Sequence, residues 1–160
     1  MKSYSSKLYF LTLITAILFA GCATISSFDQ YAYVQVTSLK VDVLNLMDKS
    51  NEPYSSHEKE VEEVNIKLLK IIEYEKHRPK NGITIQMWEK LIKIDSVGRM
   101  DETTMIPSYW KKWKKEGKEG KFFIEEAKGQ VIQGFDLIAE LEASKIKETN
   151  SKISAFLSNH

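Results

Sequence analysis

The residues able to do chemistry are three histidines (His57, His77 and His160), a single cysteine (Cys22) and many carboxylates, so the first question is whether their spacing builds a site. It does not. Neither H-E-x-x-H nor C-x-x-C-H occurs, which removes the usual settings for a zinc hydrolase or a c-type haem. Di-iron bundles take Glu-x-x-His from two helices. Here Glu73 lies four residues before His77, and His57 precedes its nearest glutamates, Glu60 and Glu62. G-x-S-x-G, P-loop and G-x-G-x-x-G motifs are also absent, and the acids are too many and too dispersed to single out a pair for glycan cleavage. The expectation is no catalytic residue, no metal and no cofactor, and a binding role in preference to an enzymatic one.

The stretch that stands out by composition is Tyr109-Trp110-Lys111-Lys112-Trp113-Lys114-Lys115. Trp110 and Trp113, three apart, share one helical face, and Lys111, Lys112, Lys114 and Lys115 fan around the rest. Two readings are open. The tryptophans can pack into the fold with the lysines as their solvated flank, or the segment can rest on anionic headgroups, an acidic envelope polymer or a partner protein. Aromatic and basic residues together also suit single-stranded nucleic acid, but overall charge gives that partner no support. The net charge of +1 for the whole chain includes Lys2 and Lys7, and without them it is −1.

Those two lysines belong to an N-terminal pattern. Lys2 and Lys7 precede an apolar run, Leu8 to Phe19, followed by the small residues Ala20 and Gly21 and then Cys22. The arrangement is that of a cleaved export signal, and the run falls short of the ~20 residues that span a hydrocarbon core. Leu18-Phe19-Ala20-Gly21-Cys22 resembles the lipobox of bacterial lipoproteins, with Phe19 at the position where the family usually carries leucine. The resemblance implies acylation of the Cys22 thiol, removal of residues 1–21 and a chain held at a membrane through Cys22. It also implies, since Ala23 rather than aspartate follows the cysteine, placement on the periplasmic side of the outer membrane in a two-membrane bacterium, and on the outer leaflet of the cell membrane otherwise. One acyl chain holds a protein only marginally, whereas two or more hold it firmly. With no second cysteine, the exported part has no internal disulfide and must be held by its core.

The elements that would carry this surface are helices. Residues 22–28 read as a tether, 29–148 as one helical domain and 149–160 as a polar tail. Ser27 with Gln30, and Ser55 with Glu58, have capping-box spacing. Ala32, Val36, Leu39, Val43 and Leu46 mark one helix over 29–49, and Val61, Val64, Leu68, Ile71 and Ile72 a second that Pro79 and Asn81-Gly82 end. Early glutamates and late Lys76, His77 and Arg78 read as a solvated face matched to the helix dipole. Two short helices follow, one capped by Thr84 and running through Ile94, the other opened by Pro107 and running to Glu116. A last long helix runs from Lys121 to about Lys147, where Gly129 and Gly134 can admit a close neighbour. The expected fold is all-α, an up-and-down bundle of three long and two short helices. Tyr74 to Asn81 and Phe122 to Lys128 resemble stretches of small bacterial lipoproteins, a likeness that carries no activity with it. The expected function is a membrane-anchored, non-catalytic binding module, with a small ligand carrier or enzyme using a pocket between helices as the alternative.

Overall fold

A computed structural model describes residues 26–145 and Ser158. The signal segment, Cys22 and the tail expected at 149–160, Ser158 apart, lie outside the described residues. Five α-helices account for most of the rest: α1 (Gln30–Asp48), α2 (Glu58–Lys76), α3 (Gly82–Leu91), α4 (Met105–Glu116) and α5 (Lys121–Ala143). Short 3-10 turns, Lys49–Asn51 and Tyr54–Ser56, connect α1 to α2. No strand forms among the described residues, and the one isolated β-bridge pairs Ile94 with Met100.

α1 buries Ala32, Val36, Leu39, Val43, Leu46 and Met47, the stripe expected from three-and-four spacing. Its cap differs from expectation. Asp29, not Ser27, is the N-cap, its Oδ1 accepting the Ala32 N–H at 3.0 Å. The Asp29 N–H in turn donates to Glu142 Oε1 at 2.7 Å. In a capping box that N–H is taken by a side chain three residues on; here a glutamate from the far end of the chain does it. The Ser55 capping box does not form either. Ser55 lies in a 3-10 turn, and His57 occupies the N-cap of α2 without a side-chain cap bond.

Three further boundaries move. Lys80 takes the left-handed conformation (φ 58°), so Asn81 and Gly82 open α3 and Thr84 is buried within it. α3 stops at Leu91, and Ile92 turns extended (φ −155°, ψ 122°), so Ile94 lies in a small hairpin and not in the helix. Asp95 Oδ1 closes that hairpin by accepting the N–H groups of Val97 and Arg99, each at 2.9 Å. α4 begins at Met105, two residues before Pro107, which still falls in the first turn, where its missing N–H leaves no bond unmade. α5 ends at Ala143, short of the expected Lys147.

Ion pairs give the helix directions. Lys67 meets Asp42 at 2.7 Å and Lys49 meets Glu60, so α1 and α2 are antiparallel. Lys40 meets Asp136 and Lys128 meets Asp48, each at 2.5 Å, so α1 and α5 are antiparallel too. α3 starts at the end where α2 finishes. α4 finishes at the opposite end, where the Tyr54 N–H donates to the Gly117 carbonyl at 2.9 Å and the Glu119 N–H to that of Ser50 at 2.7 Å. The two short helices together therefore make the third leg of an up-and-down bundle. Its interior is filled by Trp88, Trp113, Phe135, Leu39, Leu68, Met87 and Leu91, all fully buried, with Trp88 edge-on to Phe135 at 5.7 Å.

Of the two α5 glycines, only Gly134 is required by packing. A Cβ there would stand 2.5 Å from Leu91 Cδ2 and 3.0 Å from its Cγ, whereas one at the exposed Gly129 would meet nothing within 4 Å. Both Gly→Ala changes gain about 1 kcal/mol of helix propensity, but overpacking a buried contact costs about 1–3 kcal/mol. Denaturant unfolding should therefore show Gly129→Ala stabilised and Gly134→Ala destabilised; equal shifts would contradict the Leu91 contact.

Candidate functional site

The basic aromatic segment forms most of α4, and its indoles face inward. Trp113 is fully buried and Trp110 nearly so. Trp113 Nε1–H donates to the Glu52 carbonyl at 3.0 Å, and the ring lies beside Tyr54 and His57 at 5.2 and 5.8 Å. For the indoles, then, the packed reading describes what is seen, and the aromatic half of the expected surface belongs to the core. The lysines point outward, most of them toward carboxylates. Lys111 pairs with Glu102 (2.8 Å), Lys114 with Glu58 (3.1 Å), and Lys112 with both Glu116 (2.9 Å) and Glu119. Lys115, exposed, has no such partner among the described residues.

Between α4 and α5 lies a half-open groove of about 400 Å³, whose walls include Tyr109, Lys112, Phe123, Ala127 and Val131. Phe123 is stacked against Tyr109 (5.6 Å, 2°), and Lys112 Nζ sits 3.8 Å above the Phe123 ring. The groove thus offers an aromatic floor, neutral polar groups in Ser108 and Gln130, and charges of both signs, Glu126 and a Lys112 already paired with Glu116 and Glu119. Tyr109 bonds to buried Ser50 at 2.5 Å, and burial raises its pKa above the ordinary value, so it stays a neutral phenol. A second recess of about 210 Å³ is lined by Asn65, Trp110 and Lys114 among others. Asn65 Oδ1 and Trp110 Nε1 find no hydrogen-bond partner, but both atoms are sealed from solvent.

His57 sits at the same end of the bundle, nearly buried on Trp113. Its Nδ1 meets Glu60 at 3.0 Å and its Nε2 meets Glu52 at 2.8 Å. The bonds to Glu60 and then Glu52 raise its pKa, against the effect of burial. Lys49 and then His57 lower that of Glu60. A histidine held between two carboxylates over an indole is a positively biased brace and is poorly suited to act as a free base.

At the other end lies a constellation that pattern reading missed. Arg78 donates to Glu75 Oε2 (2.9 Å) and, through both terminal nitrogens, to Glu142 (2.9 and 3.0 Å). Its Nη2 also donates to the Ser27 carbonyl at 2.7 Å. Glu75 and Glu142 are buried, and the Lys145 ammonium, fully enclosed, pairs with Glu142 and donates to Ser26 Oγ at 2.6 Å. Asn81 closes the set, accepting from Ser26 at 2.8 Å and donating to the Glu75 carbonyl at 3.0 Å. Burial works against the Arg78 charge, but the bonds to Glu142 and the charge of Glu75 outweigh it and its pKa rises. Burial prevails at Lys145, whose pKa falls despite Glu142. Tyr74 donates to Asp29 Oδ2 at 2.6 Å, and that bond, with the Ala32 N–H, lowers the Asp29 pKa. The expectation of a solvated, dipole-matched face holds for Glu58, Glu62, Glu63, Lys76 and His77, which are exposed, and is corrected for Arg78, whose side chain is drawn inward to Glu75 and Glu142. A signal existed. Glu75 continues the Leu68–Ile71–Ile72 stripe, and Glu142 follows Ile138 by four, so both acids fall on buried faces.

Among the described residues no three His, Cys, Asp or Glu side chains gather into a group able to hold a metal. No helix there is long and apolar enough to cross a membrane. No known family model matches the chain, and comparison with curated proteins and with solved structures finds none similar to it.

Two predictions follow from the charged residues. Arg78→Met leaves Glu75 buried without its cation, and breaking a buried ion pair costs about 3–5 kcal/mol. Adding Glu75→Gln removes the orphaned charge, so the double variant should recover part of the loss in denaturant unfolding. For His57 the folded pKa lies above 6.5. Its contribution to stability is therefore complete below that value and is lost as pH rises through the folded pKa. The unfolding midpoint should fall over that window in the wild type and more weakly in His57→Gln, with the imidazole NMR titration reporting the same raised pKa.

Proposed function

We propose that the protein is an exported lipoprotein, anchored through acylated Cys22, whose helical bundle serves as a non-catalytic binding module at the cell envelope. The observation that carries this reading is the lipobox-like run Leu18-Phe19-Ala20-Gly21-Cys22 behind a basic, apolar leader. Supporting it, the chemistry-bearing side chains of the described domain are engaged in mutual pairing: His57 between two glutamates, Arg78 between two more, and Tyr109 on Ser50. The anchor locates the module at the periplasmic side of the outer membrane in a two-membrane bacterium, or on the outer leaflet of the cell membrane otherwise. Its partner is another envelope protein or an anionic envelope surface, for which the outward Lys111, Lys114 and Lys115 are the accessible cations of α4.

The groove between α4 and α5 favours a second reading, a small-ligand carrier. Its volume of about 400 Å³ lies within the range of small-molecule sites, and its stacked Tyr109 and Phe123 suit a planar ligand.

Acylation requires the thiol, so metabolic labelling with a fatty acid should mark the wild type and leave Cys22→Ala unlabelled and unprocessed. Full labelling of Cys22→Ala, or a mature wild-type N-terminus other than modified Cys22, would overturn the anchor.

A further inference from the structure

We infer that the outward face of α1's first half, with Phe28 before it, is a docking surface for the headgroup layer of the membrane that holds the Cys22 anchor. This rests on the lipid-anchor reading and goes beyond it, since an anchor alone leaves a domain free to tumble on its tether. The tether here is very short. Only Ala23, Thr24 and Ile25 separate Cys22 from Ser26. Fully extended, the four steps reach about 14 Å. Ser26 is buried, bonded to Asn81 at 2.8 Å and to Lys145 at 2.6 Å, and the Ser27 carbonyl is held by Arg78. The clasp at this end of the bundle therefore cannot rise far from the bilayer, and the surface around it must face lipid headgroups.

That surface is suited to them. In a chain with 28% charged residues, none is charged from Gln30 to Leu39. The core side of α1 is taken by Ala32, Val36 and Leu39, and opposite it Val34 is 47% exposed, flanked by outward Tyr31 and Tyr33. Phe28, 46% exposed, lies 6.4 Å from the Tyr33 ring, and Tyr31 packs edge-on to Tyr74 at 4.8 Å. Tyrosines with a phenylalanine and a valine are side chains that settle at a membrane–water interface, with rings among the headgroups and hydroxyls toward water. The α4 lysines lie toward the end of the bundle opposite the clasp.

The test uses the full-length lipidated protein in vesicles of phosphatidylethanolamine and phosphatidylglycerol. Cysteines are introduced at two exposed sites, Val34→Cys on the proposed surface and Phe122→Cys at the distal start of α5, where the ring is 83% exposed. Because Cys22 is the only native cysteine, each variant presents one reactive thiol if the anchor is acylated and two if it is not. A spin label on the introduced thiol is then challenged with a water-soluble nickel chelate and with oxygen. Docking predicts a several-fold lower nickel collision rate at position 34 than at 122, with oxygen collisions retained or raised at 34. Equal nickel access at both positions, with one thiol counted, overturns the docking and leaves the anchor standing. Protection of position 34 from both quenchers, with spin–spin broadening, overturns it in favour of a second copy of the chain. Two thiols would remove the anchor, and the docking with it.

Discussion

Two carboxylates from different helices, Glu75 and Glu142, are buried side by side at one end of the bundle, and that end is held together by how Arg78 bridges them. Removing a carboxylate from water costs several kcal/mol even after relaxation, and Glu75 and Glu142 are both almost wholly enclosed. The planar guanidinium binds them together in a fork that an ammonium could not supply. Just before Arg78 the chain leaves α2 at Lys76, and the left-handed Lys80 then turns it into α3. Glu142 comes from the end of α5, a helix that packs chiefly against α1 and α3. The same carboxylate takes the Asp29 N–H, and the start of α1 is thereby tied to the end of α5.

The opposite end is organised by rings. Trp113 fills the space beneath the 3-10 turns, with Tyr54 and His57 against it, and Phe123 extends the aromatic contact through Tyr109. Polar groups at this end are used to secure loops: the Ser50 carbonyl takes the Glu119 N–H, and Gly117, with φ 82°, allows α4 to end and its carbonyl to meet Tyr54. The lysines that give α4 its basic character are largely neutralised by Glu58, Glu102, Glu116 and Glu119. A run that looks strongly cationic in one dimension is therefore a mixed-charge surface in three.

Together the two ends give the molecule a polarity that bears on its role. The charged clasp fastens Ser26 and Ser27 directly to the bundle, while the mixed-charge α4 and the groove beside it lie toward the far end. In the proposed lipid-anchored form, a short tether joined to the clasped Ser26 favours a defined orientation, with α4 toward the end remote from the clasp.

How much of this was legible in the chain depends on the range of the interaction concerned. Helical periodicity is local, so the buried stripes of α1, α2 and α5 and the all-α class could be read from apolar spacing alone, as could the pattern ending at Cys22. Sequence spacing also put Trp110 and Trp113 on one face, but whether that face met solvent or core depended on the packing of α4 against the 3-10 turns and α5. Caps were misassigned for a related reason: Ser27 and Ser55 have the right local spacing, but Asp29 is supported by Glu142, and His57 is held by Glu52 and Glu60. Gly129 and Gly134 are indistinguishable in sequence, and only the position of Leu91 separates them. Most of all, Arg78 reads as part of a solvated helix end, and although Glu75 and Glu142 fall on buried stripes, nothing local pairs Glu142 with Arg78 across the bundle. Local sequence determined which faces were apolar, but only the tertiary structure decided which charges lay inside, because a buried charge is tolerable only when a distant part of the chain brings its counter-ion to it.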